Sequence, residues 1–184
     1  TLDNSGYLWQ GYYLYVAGAS QSNVGNLNDM TVYWVETISS NNHRFYTSTS
    51  NTLVTTVNTT AWGSTGAPGA LMKAYKITGA NTSVGKDSIT IETDLTSELG
   101  WTSLQNNPVV FVGSNTSTGN VASYVRSTNN RAFQNYRLYY SRQKFSGQEW
   151  NFSLTSGGGA VNLTSNNVSN GFIIPVALTL SLIH

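Results

Sequence analysis

Apolar and polar side chains alternate residue by residue along much of this chain, and a two-residue rhythm restricts a segment to β structure. In residues 88–95, Ile89, Ile91 and Leu95 share one face with Thr93, while Thr90, Glu92 and Asp94 take the other. In 149–154, Trp150, Phe152 and Leu154 oppose Glu149, Asn151 and Ser153, and near the end Val176, Leu178, Leu180 and Leu182 line one face. Successive side chains of a strand point to opposite sides, so the pattern buries one face and wets the other. That is the habit of antiparallel sheets, since parallel ones tend to be apolar on both faces.

Strand-forming runs rich in Val, Ile, Tyr, Trp, Phe and Thr fall at 7–17, 30–38, 44–49, 52–58, 70–78, 88–95, 108–113, 121–126, 132–145, 149–155, 160–164 and 172–183. Gly- and Asn-rich turn formers separate them, including Gly25-Asn26, Ser40-Asn41-Asn42, Thr128-Asn129-Asn130 and Gly157-Gly158-Gly159. Tight hairpin turns need the positive φ that these residues tolerate. The only helical candidate is a short piece within 95–104. Many short strands with frequent turns predict an all-β fold, an antiparallel β-sandwich of about ten to twelve strands. No break in composition divides the chain, so residues 1–184 are read as one domain.

Composition sharpens this. Charged residues make up 9% of the 184, the net charge is +1, and there are 5 Trp, 11 Tyr and 6 Phe. Nothing there suggests attraction to nucleic acid or to an anionic membrane. The absence of cysteine excludes a disulfide framework and cysteine-based metal sites. No segment reaches the ~18 consecutive apolar residues of a membrane-spanning helix. The opening TLDNSGYLWQ lacks the basic and apolar regions of a secretion signal and reads as a start inside a longer protein.

Catalysis needs an acid, base, nucleophile or metal held in place, and the sequence offers little of each. His43 sits in a turn-like stretch beside Arg44, whose charge would disfavour a second positive charge, and His184 ends the chain. Two histidines without HExxH spacing suggest no zinc site. Glu92 and Asp94 share a face of a predicted strand and are the nearest thing to a glycosidase carboxylate pair, although a strand ordinarily shows its charges on its wet face. No metal, cofactor or catalytic residue is expected. Six N-x-S/T triplets, at Asn58, Asn81, Asn115, Asn151, Asn162 and Asn167, are nearly what chance gives in a chain with 21 Asn and a quarter of its residues Ser or Thr.

Binding candidates are few. Arg126, Arg131, Arg137, Arg142 and Lys144 hold five of the nine basic residues, in a stretch with no acid between Glu98 and Glu149. Such a stretch could face an acidic sugar or protein loop. Arg137 and Lys144 are an odd number of positions apart, so an unbroken strand would put them on opposite faces. Trp62, in a Gly/Thr/Ala-rich loop, is a candidate sugar-stacking ring, with packing against the core as its plainer role.

The C-terminal third runs from a Tyr-rich strand (YRLYYSRQKF) through Ser146-Gly147 to an alternating strand (EWNFSLTS), a Gly/Asn-rich stretch and a closing strand (IPVALTLSLIH). This order resembles the end of adenovirus fibre heads, and the first half is closer in wording to avian than to mammalian fibres. The family's opening Thr-Leu-Trp-Thr is echoed by Tyr7-Leu8-Trp9-Gln10, where Leu8 and Trp9 agree, so residues 1–10 would join an upstream shaft. The resemblance implies a homotrimeric head at the tip of a virion spike that attaches to a host cell-surface receptor, protein or glycan. The other readings are a bacterial or phage adhesin or carbohydrate-binding module, a sugar-active enzyme, and a capsid or structural shell domain.

Overall fold

The computed structural model describes residues 9–17, 26–39, 42–48, 51–58, 69–83, 85–103, 105–113, 123–126, 129–133, 136–164 and 171–176. These form fourteen strands and one helix of five residues, every strand pairing antiparallel. The all-β antiparallel class expected from the alternation is the class found. The chain divides into two compact units, Thr1–Ala74 and Tyr75–His184.

The first unit holds one five-stranded sheet. Strands β1 (Gln10–Ala17), β2 (Thr31–Ser39), β3 (Asn42–Thr47), β4 (Leu53–Asn58) and β5 (Gly69–Lys73) lie in the order β4-β3-β2-β1-β5. One face is apolar: Tyr15, Tyr33, Val35, Phe45 and Val57 are buried with Leu27, and Tyr13, Ala17 and Leu71 pack against them. Tyr33 meets Phe45 edge to face, with centroids 6.1 Å apart. Asn51, at φ 54, makes the turn into β4, its amide donating to the Thr47 carbonyl at 3.1 Å.

In the second unit a sheet closes on itself. Strands β6 (Tyr75–Asn81), β7 (Ser88–Ile91), β8 (Pro108–Gly113), β11 (Leu138–Lys144), β12 (Glu149–Ser153) and β14 (Gly171–Pro175) make a barrel in the order β11-β12-β7-β6-β14-β8. Closure leaves these strands no unpaired edge. A small sheet sets β9 (Ser123–Arg126) between β10 (Asn129–Ala132) and β13 (Asn162–Leu163). Aromatic rings fill the core. Phe111 touches Phe133 at 4.4 Å, Tyr139 at 5.1 Å and Phe152 at 5.1 Å between centroids. Trp101 meets Trp150 edge to face at 5.6 Å. Such pairs add about 0.5–1.5 kcal/mol each beyond the area they bury.

Several runs break where the sequence reads as continuous. The run 70–78 splits at Ala74, whose amide donates to the Tyr12 carbonyl before the chain passes into β6. The run 88–95 ends as a strand at Ile91. Asp94 caps helix α1 (Leu95–Leu99) by accepting from the amides of Thr96 and Ser97, and Gly100 closes it at φ 68. The run 132–145 is interrupted by Tyr136 at φ 60, its amide held by the Phe111 carbonyl. Asn129 and Asn130, expected in a turn, belong to β10. Strands β8 and β14 also depart from simple alternation. Val112, Phe172 and Ile174 are fully buried opposite the barrel core that holds Phe111 and Ile173, so both faces of these strands are dry.

Candidate functional site

The basic residues singled out by the sequence fall on β9, on β10, just before β11 and on β11. Arg126 ends β9 and Arg131 lies on β10, its register partner being Tyr124. Arg137 precedes β11 and its guanidinium stands over the Tyr139 ring, 6.0 Å from the centroid. Arg142 and Lys144 lie on β11, but the register slips between Ser141 and Lys144, so simple two-residue spacing fails there. Lys144 Nζ donates to Thr96 Oγ1 at 3.1 Å and stands 5.9 Å from the Trp150 ring centroid. Arg137 and Lys144 are thus engaged by the fold itself. Trp62 lies outside the described residues.

The carboxylates expected to share a strand face do not. Glu92 follows the end of β7 and Asp94 is the helix cap, which occupies its Oδ1. His43 is corrected as well: it lies within β3 and is only 2% exposed. Its ring packs on Trp9 with centroids 4.4 Å apart, and its Nδ1 lies 3.0 Å from Thr37 Oγ1. Burial, not Arg44, holds its pKa below the ordinary 6.5. Among the described residues no cluster of His, Asp and Glu is arranged to hold a metal ion. Two sequons differ sharply: Asn151 is buried, with its Nδ2 donating to the Lys86 carbonyl at 2.6 Å, whereas Asn162 is exposed.

What the register assembles instead is on the second face of the five-stranded sheet. Tyr12 on β1 pairs with Trp34 on β2, Trp34 pairs with Tyr46 on β3, and Tyr46 pairs with Leu53 on β4. Paired residues share a face, so three aromatic side chains stand in one row across three strands. Tyr12 and Trp34 touch edge to face, 4.9 Å between centroids at 78°. The three rings are half-buried and Leu53 is 50% exposed. Two residues along β1, β2 and β3, and three along β4 where the register shifts between Phe45 and Tyr46, runs a polar row, Gln10, Glu36, Arg44 and Thr56, again in register. The two rows touch where the Tyr46 hydroxyl donates to Glu36 Oε2 at 2.9 Å. Glu36 and Arg44 sit opposite one another, and Arg44 is exposed with no hydrogen bond or ion pair to another described residue.

The individual residues are visible in the sequence, but their alignment is not, because it depends on pairings between strands. Comparison with protein-family models, with curated proteins and with solved structures returns no match.

Proposed function

We propose that this chain is an attachment domain: the head of a virion spike that binds a host cell-surface receptor as a homotrimer, joined to an upstream shaft, and carries out no chemistry on its ligand. The observation that carries the reading is the order of elements in the C-terminal third. A Tyr-rich strand (β11), a turn through Ser146 and Gly147, an alternating strand (β12) and the later strand β14 follow one another and belong to one closed sheet. The fibre-head resemblance rests on the same order, although of its closing strand, 174–184, only 174–176 are among the described residues, so the alternation of Leu178, Leu180 and Leu182 lies outside them. The paired aromatic and polar rows of the first unit give such a domain a surface able to hold a ligand.

Two measurements test this. Light scattering with sedimentation at micromolar concentration is expected to give a stable trimer. Labelled chain is expected to bind host cells saturably, with unlabelled chain competing. A monomer that binds no cell surface would overturn the proposal. A monomer that binds glycans would favour the adhesin or carbohydrate-binding module, for which the aromatic row is the specific support.

A further inference from the structure

We infer that the Tyr12–Trp34–Tyr46 face of the first unit is a binding site for an uncharged glycan. The inference rests on the reading of the chain as an attachment domain and names the ligand class and the residues. A pyranose ring presents an apolar C–H face flanked by hydroxyls that both donate and accept. It is held best by aromatic rings beside planar polar groups of both kinds.

The rows supply this pairing. Three rings on adjacent strands span two strand spacings, roughly 10 Å, about the length of a disaccharide. Tyr and Trp combine a broad apolar body with a polar handle. Beside them Glu36 accepts, Arg44 donates through a planar fork and Gln10 does both. The Tyr46 hydroxyl occupies Oε2 of Glu36, fixing the carboxylate, while Oε1 has no hydrogen bond to another described residue. The charges decide the class of sugar. Glu36 and Arg44 are register partners of opposite sign, so the row carries no net charge. A sialylated or sulfated glycan that approached the guanidinium would meet the carboxylate beside it.

The test is to apply the purified full chain to an array of neutral oligosaccharides ending in hexoses or N-acetylhexosamines, alongside sialylated and sulfated ones. Hits are then titrated by tryptophan fluorescence. Neutral glycans are expected to bind, and Arg44→Ala is expected to weaken them roughly tenfold or more. Because Arg44 is exposed and unengaged among the described residues, that variant keeps the fold, checked by far-ultraviolet dichroism. Trp34→Ala, if it folds, is expected to lose binding outright. Binding of charged glycans alone would overturn the inference, as would neutral-glycan binding indifferent to both Arg44→Ala and Trp34→Ala. Saturable cell binding that survives removal of cell-surface glycans, with a silent neutral array, would sink this site while leaving the attachment reading standing. Silence on both cells and array would remove both.

Discussion

Oγ1 of Thr37 accepts the Trp9 amide at 2.7 Å and lies 3.0 Å from Nδ1 of His43, so one hydroxyl joins the start of β1 to a buried imidazole. The Trp9 carbonyl in turn accepts from the Thr37 amide at 2.9 Å. Trp9, just ahead of β1, is thereby tied to Thr37 of β2 and His43 of β3, and the three fix one corner of the first unit.

That corner has a pH dependence of definite sign. Burial lowers the His43 pKa below 6.5, so the unfolded chain binds more protons than the folded one as pH falls past that value. The stabilisation is fully present above pH 6.5 and is lost as pH drops through the folded pKa. Urea unfolding between about pH 5 and pH 8 is expected to show wild type losing more stability on acidification than His43→Phe. Parallel pH profiles for the two proteins would show that His43 is not held neutral by the fold.

Phe111 sits among three other rings with no solvent exposure. Phe111→Ala should cost about 3–5 kcal/mol, the lost transfer energy plus the cavity left behind. The exposed Thr56→Ala should stay within about 0.5 kcal/mol. Denaturant midpoints compare them directly, and a small effect at Phe111 would mean that the barrel interior is loosely packed around that ring.

A Cβ placed on Gly147 would collide with the Asp94 carboxylate, the helix cap. The Gly147 carbonyl also accepts from the Leu95 amide at 2.8 Å and from Trp150 Nε1 at 2.9 Å, so the turn has little room to retreat. Gly147→Ala is expected to cost about 1–3 kcal/mol, and Asp94→Ala about 1 kcal/mol through the lost cap. The double variant should cost less than the sum, because removing the carboxylate removes the obstacle. Strict additivity in a double-mutant cycle would disprove the contact.

Lys144 and Arg142 are both basic, half-buried and on β11, yet only Lys144 has described partners, Thr96 and the Trp150 ring. Lys144→Ala should therefore lower stability by ~1 kcal/mol, whereas Arg142→Ala should change it by less than about 0.5 kcal/mol. Thermal melts decide this. Equal effects would mean that the ammonium contacts contribute nothing.

Much of the fold class was legible because alternation is a local property. The pattern of 149–154 needs no partner to show that Trp150 and Phe152 lie together, and both are in the barrel core. The helical piece within 95–104 was legible too, and Asp94 and Gly100 delimit it. Register was not legible, because it depends on which strands meet. His43 reads as a turn residue until β3 is seen between β2 and β4, where Thr37 and Val57 are its register partners. The continuous reading of 70–78 fails for the same reason: the Ala74 amide is claimed by Tyr12, more than sixty positions earlier in sequence.

The sequence alone determined that these side chains would stack as antiparallel sheets, because neighbouring residues on a strand must face opposite ways. Tertiary structure alone decided that Tyr12, Trp34 and Tyr46 would stand in one row with Glu36 and Arg44 beside them. Hydrogen bonds between strands set that alignment, and a slip of one residue would have turned every ring to the other side of the sheet.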